Sequence, residues 1–165
     1  MKNLLLLITI LFATATSCSV TKPGQASFSW TDIAVIEELE VYTDTSKITY
    51  KDGYSHAWIK TVYMTEGGRN SYKNNIRDRF RENLGLSEEK TNERMNKWDG
   101  FSYNISHRVY DCMNKRYKIL EITDYTGSGN PIVTTKTPKD KENWVDVGMD
   151  TMGDYTLFSI CDYGN

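Results

Sequence analysis

The chain has 165 residues, and its 22 acidic and 20 basic side chains give a formal net charge of −2 at pH 7. This length suits one compact domain, and the near balance of charge gives no reason to expect nucleic acid as a partner. Aromatic residues make up 12% of the chain and are spread along strand-like segments. In a small β-rich domain this distribution favours core and cross-strand packing over an exposed surface that stacks a ligand.

The first residues follow the order of a secretory signal peptide. Lys2 precedes the apolar run Leu4–Ile8, and small residues fill Ala13–Ser17. The apolar run is shorter than the roughly 20 residues that a membrane-spanning helix needs, and no later segment reaches that length. We therefore predict a cleaved signal peptide over residues 1–17 and export to a bacterial cell envelope.

Cys18 follows these small residues, an arrangement that resembles the bacterial lipobox, in which the cysteine thiol receives a diacylglyceryl group before cleavage. The residue three places earlier is Ala15, where the best-known lipobox has Leu. Cleavage by the ordinary signal peptidase is the alternative, because Ala15–Ser17 also fits its preference for small residues. We predict lipidation at Cys18, a flexible tether over residues 18–27, and an outer-membrane lipoprotein facing either the periplasm or the exterior.

The chain contains three cysteines, and an oxidising compartment leaves one of them unpaired unless one has another task. If Cys18 carries lipid, Cys112 and Cys161 remain free to form a disulfide. Closing a loop of about 50 residues would stabilise the fold by about 4 kcal/mol in the chain-entropy model. The alternative is that these two residues are unrelated buried thiols.

Two segments in the N-terminal half have the residue pattern of strands. Ile33–Thr43 predicts a strand, although Glu37–Glu40 is also compatible with a helical turn. Bulky and polar residues alternate through Lys47–Met64 on both sides of Asp52 and Gly53, a pair that favours a type I′ turn. This second segment therefore predicts a β-hairpin.

Between Gly68 and Gly100 the apolar period changes to four residues, which predicts an amphipathic helix with an apolar stripe of Tyr72, Ile76, Phe80 and Leu84. Gly85 predicts the end of this helix, and Ser87 predicts the N-cap of a second helix that ends near Trp98. We expect the two helices to form a hairpin whose apolar stripe packs on the sheet.

Basic residues dominate the first predicted helix, where only Asp78 and Glu82 oppose Arg69, Lys73, Arg77, Arg79 and Arg81. Acidic residues dominate near the C-terminus, where Lys141 alone opposes Asp140, Glu142, Asp146, Asp150, Asp154 and Asp162. The domain is therefore predicted to be dipolar in charge. The five basic residues, or an exposed sheet edge, are the candidate partner-binding surface, and ordinary solvated surface is the alternative for the basic residues.

The C-terminal half predicts an antiparallel meander. Arg116–Thr126 mirrors Phe101–Cys112, in which one face is predicted to carry Phe101, Tyr103, Ile105, His107 and Val109. Pro131–Thr135 predicts a further short strand, and Asp150–Asp162 predicts a short helix that carries Cys161 back towards Cys112. The predicted fold class is α+β, with one domain over residues 28–165, an inserted helical hairpin, a short C-terminal helix and one disulfide.

No local pattern for catalysis or metal binding is present in the sequence. His56 and His107 each lie in a predicted strand without a second ligand two to four residues away, and we expect His107 to be a core or edge residue. A Gly-x-Ser-x-Gly elbow and a phosphate-binding loop are both absent. We therefore expect no metal, no cofactor and no enzymatic activity, and the alternative is a hydrolase whose site leaves no local signature.

From Lys47 onward, the order of features resembles the surface-adhesin protein E family of small Gram-negative envelope proteins. The residues that carry the resemblance are Ala57-Trp58-Ile59-Lys60, Tyr63, Tyr110-Asp111-Cys112, Arg116-Tyr117-Lys118-Ile119-Leu120, Tyr125, Gly129, Trp144-Val145-Asp146-Val147 and Cys161. The resemblance implies an antiparallel sheet flanked by helix, a disulfide between Cys112 and Cys161, and a non-enzymatic domain, in a family whose named member binds host extracellular-matrix or plasma proteins. The candidate partner of this chain is an extracellular or envelope protein. A periplasmic structural or stress-related lipoprotein without a ligand is the second functional hypothesis.

Overall fold

The structure, a computed structural model, describes residues 27–163. The predicted signal peptide, Cys18 and the predicted tether up to residue 26 lie outside this range. Within it, the chain forms one antiparallel sheet of eight strands accompanied by three α-helices. The predicted α+β fold class is therefore confirmed.

The sheet contains β1 (Thr31–Ile36), β2 (Leu39–Thr43), β3 (Thr49–Lys51), β4 (Tyr54–Tyr63), β5 (Phe101–Asp111), β6 (Arg116–Thr126), β7 (Pro131–Lys136) and β8 (Val145–Asp146). The helices are α1 (Glu66–Leu84), α2 (Glu88–Met95) and α3 (Met152–Tyr163). The strand order is β1-β2-β4-β5-β6-β7. The short strand β3 pairs with the part of β4 that β2 does not reach. In the same way, β8 pairs with the part of β6 that β7 does not reach.

The segment predicted as one strand over Ile33–Thr43 lies in a hairpin formed by β1 and β2. The chain reverses at Glu37 and Glu38, so the alternative of a helical turn at this point is wrong. The reversal pairs Ala34 with Val41, and both side chains contribute to the apolar core. Burial of this pair across two strands stabilises the hairpin over a helical conformation.

The predicted hairpin around Asp52 and Gly53 is confirmed. Their φ angles are +53° and +84°, and a type I′ turn requires positive φ at both central residues. The turn connects β3 to β4, the long strand that β2 and β5 flank for most of its length.

Capping residues set the limits of the helical hairpin. The Thr65 hydroxyl accepts a hydrogen bond from the Gly68 N–H at 3.0 Å, and α1 therefore begins slightly before Arg69. Gly85 ends α1 in the left-handed conformation, with φ of +58°. Ser87 caps α2, so both the predicted helix end and the predicted N-cap are confirmed.

All three helices pack on one face of the sheet, which we call the helix face. The core cluster that includes α3 consists of Val41, Ala57, Ile59, Tyr110, Leu157 and Ile160. The cluster at the helical hairpin consists of Met95, Trp98 and Phe101, with Tyr63, Tyr72, Ile76 and Phe80 packed around it. Leu84, the last member of the predicted apolar stripe, is 55% exposed, so the stripe is buried only as far as Phe80.

A disulfide joins Cys112, the residue directly after β5, to Cys161 in α3, as predicted. The sulfur atoms of Cys112 and Cys161 are 2.00 Å apart, and the Cα atoms are 5.9 Å apart. The bond lies beside the core cluster that contains Leu157 and Ile160. It therefore fixes the C-terminal helix to the sheet at the point where its apolar side is already buried.

One residue of β5 lies on a different face from the one predicted. Tyr103, Ile105, His107 and Val109 share a face as expected, but a register shift before Tyr103 turns Phe101 to the helix face, where it is buried. The four residues that share a face project from the opposite side of the sheet, on which none of α1, α2 and α3 packs. His107, expected to be a core or edge residue, is half-buried outside the core beneath the helices and lies on a strand between β4 and β6.

Candidate functional site

The sheet face opposite the helices carries a row of half-buried aromatic and basic side chains. Along β4, the residues that point to the helix face are Ser55, Ala57, Ile59 and Thr61, whereas Trp58 and Lys60 point the other way. Neighbouring strands and the segment before β1 extend this row. We define it as the open face, consisting of Phe28, Trp30, Tyr42, Trp58, Lys60, Tyr103, His107 and Tyr125.

Aromatic rings are in continuous contact along one side of the open face. The rings of Phe28 and Trp30 stack with centroids 4.6 Å apart, and Phe28 also contacts Trp58 at 5.8 Å. Trp58 stacks on His107 at 4.8 Å, and His107 in turn contacts His56 at 5.6 Å. Stacking of this kind covers ring faces and leaves the side chains half-buried.

Lys60 lies at the centre of the open face. Its ammonium nitrogen is 4.8 Å from the ring centroid of Tyr103, 5.7 Å from that of Tyr42 and 5.8 Å from that of Trp30. These distances are typical of cation–π contacts. Within residues 27–163 Lys60 forms no ion pair. The open face therefore offers one cation, which aromatic rings hold in place.

The first described residues are held against the side of the domain that carries the open face. The Ser29 N–H donates to a carboxylate oxygen of Asp44 at 2.9 Å, and the Lys47 ammonium donates to the Ser27 carbonyl. The same ammonium lies 3.9 Å from the Phe28 ring centroid. Hydrogen bonds from Ser46 and from the Ser29 N–H lower the pKa of Asp44. The chain that precedes residue 27 consequently meets the domain beside Trp58.

Two histidines lie together at one end of the open face. Burial lowers the pKa of His56 and of His107, and the positive charges of Lys51 near His56 and of His56 near His107 lower them further. Both shifts favour the neutral imidazole. His107 in its neutral form stacks on Trp58 without adding charge to the surface.

The five basic residues predicted as a partner-binding face do not form one patch. Arg69 uses its guanidinium to donate to the carbonyls of Tyr63 and Met64, at 2.9 and 3.2 Å, and so supports the start of α1. Because an α-helix has about 3.6 residues per turn, the i, i+4 series of Lys73, Arg77 and Arg81 recurs along one side of α1. Arg79, two residues from Arg77, points roughly to the opposite side of the helix. We call Lys73, Arg77 and Arg81 the basic stripe.

The outer surface of α3 also exposes aromatic side chains. Tyr155 and Phe158 are 53% and 57% exposed and are one helical turn apart, and Met149 just before the helix is 81% exposed. Several of the acidic residues noted in the sequence lie nearby, including Asp150 and Asp154. The helix face thus carries an acidic and aromatic helix at one end and the basic stripe at the other, in agreement with a dipolar domain.

Surface depressions and metal-ligand clusters are the remaining features that could form a site. A shallow depression at the end of α1 is lined by Asp78, Arg81, Glu82, Gly85 and Leu86. From residue 27 to residue 163, no group of three histidine, cysteine or carboxylate side chains is placed to hold a metal ion. In the same range, no helix is both long enough and apolar enough to cross a bilayer.

Comparison with known proteins identifies the family. The model of the family described as surface-adhesin protein E matches residues 30–162. The match begins well before Lys47, so the β1–β2 hairpin belongs to the family fold together with the strands that carry the resemblance in the sequence. No curated protein matches the sequence significantly. Since the family model covers most of the chain, the protein belongs to the surface-adhesin protein E family.

Proposed function

We propose that this protein is a non-enzymatic, adhesin-like binding domain, exported to the cell envelope and held on the outer membrane by lipid at Cys18. Its partner is an extracellular or envelope protein. Membership of a surface-adhesin family supports a binding role and an envelope or surface location. The basic stripe is the observation that carries the choice of binding surface.

The basic stripe fits a binding surface better than the other cationic positions. Lys73, Arg77 and Arg81 form no ion pair within the described residues, so their charge is available to a partner. They lie on a helix that packs on the helix face, whereas the N-terminal segment meets the domain on the side of the open face. A domain anchored through its N-terminus would therefore present the stripe away from its anchor.

The proposed partner carries an acidic surface that complements the stripe. Exposed charges act mainly on the association rate and on specificity, and their effect weakens as salt screens them. Binding through the stripe should therefore become weaker as ionic strength rises. Arg69 is left out of the proposed surface because its guanidinium is already hydrogen-bonded to the backbone.

Charge reversal of the stripe tests the proposal. The test variant is Lys73→Glu/Arg77→Glu/Arg81→Glu, and the matched control, Lys51→Glu/Lys139→Glu/Lys141→Glu, changes the net charge equally at exposed positions outside α1. Chemical cross-linking in the native envelope, followed by mass spectrometry, would identify the protein captured by the wild type. We expect the test variant to lose that cross-link at least tenfold, about 1.4 kcal/mol of binding free energy, and the control to retain it.

The second hypothesis, a structural or stress-related lipoprotein without a ligand, gives a different result. A structural protein should form the same cross-links in the wild type, the stripe variant and the control. Equal cross-linking in all three would reject binding through the stripe and favour that hypothesis.

A further inference from the structure

We propose that the open face is a membrane-docking surface whose ligand is the anionic phospholipid headgroup layer of the leaflet that holds the anchor. The inference rests on the proposed lipid anchor at Cys18. It concerns the side of the sheet opposite the basic stripe, and it assigns this side to lipid and not to the protein partner.

The first argument is the point where the chain meets the domain. Ser27 and Ser29 are hydrogen-bonded to Lys47 and Asp44, and Phe28 packs on Trp58 of the open face. Even fully extended, the segment from Cys18 to Ser27 spans at most about 32 Å. A lipid at Cys18 therefore keeps the open face within about one domain diameter of the bilayer.

Such a short connection raises the local concentration of lipid at the domain. Docking becomes an intramolecular step with an effective concentration in about the millimolar range, so a weak intrinsic affinity for the interface is sufficient. The open face needs only the modest affinity that a few aromatic rings and one cation provide. Because the anchor supplies this effective concentration, docking on the bilayer does not require a strongly basic surface.

The second argument is the chemistry of the side chains. Tryptophan and tyrosine are the residues that collect at membrane interfaces, because an apolar ring and a polar N–H or O–H suit that layer. Lysine places its ammonium among phosphates while its alkyl chain remains in apolar surroundings. Trp30, Trp58 and Tyr103 supply the rings, and Lys60 supplies the cation.

Three carboxylates near the open face contact side chains other than Lys60. Glu40 accepts a hydrogen bond from the Tyr42 hydroxyl at 2.6 Å, Asp44 pairs with Lys47, and Glu121 pairs with Lys136 at 3.5 Å. Lys60 has no such partner within residues 27–163. Lys60 is therefore free to contact an anionic headgroup, on a side of the sheet that also carries the carboxylates of Asp32 and Glu40.

The arrangement of the rings argues against a glycan as the occupant. Sugars stack on exposed ring faces, but here the faces cover one another, with interplanar angles of 18° for Phe28 and Trp30, 15° for Trp58 and His107, and 6° for Tyr103 and Tyr125. Lys60 lies over further ring faces. Ring edges and polar tips remain for a partner, and these suit a headgroup layer.

Hydroxyl-radical footprinting of the full-length lipidated protein tests the inference. The protein would be reconstituted in vesicles of phosphatidylethanolamine and phosphatidylglycerol and compared with the soluble Cys18→Ala chain. We expect oxidation of Trp30, Trp58 and Tyr103 to fall about threefold or more on vesicles, because an interfacial ring loses much of its contact with water. Tyr155 and Phe158, exposed on α3, are the internal controls and should react equally in both samples.

Two variants separate docking from mere proximity to the bilayer. Lys60→Glu removes the central cation and should restore oxidation of Trp30 and Trp58 on vesicles, while Lys73→Glu on α1 should leave both protected. Trp30→Ser, outside the strands, is the second test variant and should restore oxidation of Trp58 without affecting the sheet. In phosphatidylcholine vesicles, protection should weaken because the net anionic charge is absent.

The outcomes distinguish this inference from the proposed anchor. If the wild-type protein is not retained on vesicles, the anchor is wrong and the docking inference falls with it. If it is retained but the three rings stay reactive, the anchor stands and the docking inference is wrong. Protection that requires an added protein instead of lipid would assign the open face to a macromolecular partner and would equally overturn the inference.

Discussion

The indole N–H of Trp98 donates a hydrogen bond to the Asp124 carboxylate at 2.7 Å, and both residues are buried. The second carboxylate oxygen accepts the Tyr72 hydroxyl, also at 2.7 Å. A single carboxylate on β6 thus holds α1 and the turn after α2 against the sheet. Burial raises the pKa of Asp124, while the two hydrogen bonds act in the opposite direction.

Replacement of Asp124 should therefore loosen the helical hairpin. Asp124→Ala leaves two buried donors without an acceptor and should lower the free energy of unfolding by about 3 kcal/mol. Asp124→Asn keeps one acceptor oxygen and should cost less. Urea denaturation of these variants in the soluble Cys18→Ala chain measures both effects, with Asp140→Ala at an exposed position as the control. A loss below about 0.5 kcal/mol for Asp124→Ala, the range of ordinary surface substitutions, would contradict this role.

Residue patterns predict most of the fold because capping, turn and pairing signals are local. Ser87, Gly85 and the Asp52-Gly53 turn each act within a few residues, and the structure confirms all of them. The register shift that turns Phe101 to the helix face depends on packing against the helical hairpin, which is distant in sequence. Strict alternation along β5 therefore predicts the wrong face for that residue.

The sequence pattern does not predict the open face, because the distribution of aromatic residues favours core and cross-strand packing. Along β4 the side chains beneath the helices are Ser55, Ala57, Ile59 and Thr61, smaller on average than those on the other side. Close approach of α3 to the sheet favours small residues there, and this requirement arises only in the folded chain. The sequence does contain one indication of the open face. Phe28 and Trp30 lie just before β1, and Phe28 packs against both Trp30 and Trp58.

Loss of the disulfide should destabilise the domain without changing the sheet. Because Cys112 and Cys161 are 49 residues apart, Cys112→Ala/Cys161→Ala should lower the free energy of unfolding by about 4 kcal/mol through greater entropy of the unfolded chain. Chemical denaturation in the Cys18→Ala background measures the change, and reduction of the parent protein should reproduce it. Unfolding midpoints within error of the parent would show that the bond contributes nothing.

Because Gly85 adopts the left-handed conformation, replacing it with a residue that has a Cβ should lower the stability of the domain. A Cβ there meets no atom within 4 Å, so Gly85→Ala tests conformational strain alone and should cost about 1 kcal/mol. Gly67 provides the matched control, because it lies in the first turn of α1 with ordinary contacts for a Cβ. Gly67→Ala should be neutral or stabilising when thermal unfolding of both variants is compared. Equal effects of the two substitutions would refute the strain argument.

The histidine pair should make stability depend on pH. An unfolded histidine takes up a proton near pH 6.5, whereas the pKa values of His56 and His107 are lowered in the folded protein. Between these values the unfolded state binds more protons, so the free energy of unfolding should fall as pH drops from 7 to 5. His56→Gln/His107→Gln should show a smaller fall. Urea titrations at each pH provide the comparison, and parallel curves for the two proteins would exclude the histidines as the cause.

Substitution of Cys18 should release the domain from the membrane. A protein with the acyl chains of a bacterial lipoprotein remains membrane-bound, so Cys18→Ala should move it from the membrane to the soluble fraction. Ser17→Ala keeps both the cysteine and a small residue before it, and this control should stay in the membrane. Intact mass adds an independent test, because the wild type should match residues 18–165 plus acyl chains and gain two hydrogens when the Cys112–Cys161 bond is reduced. An unlipidated mass would instead favour cleavage by the ordinary signal peptidase, and the orientation proposed for the open face would then lose its basis.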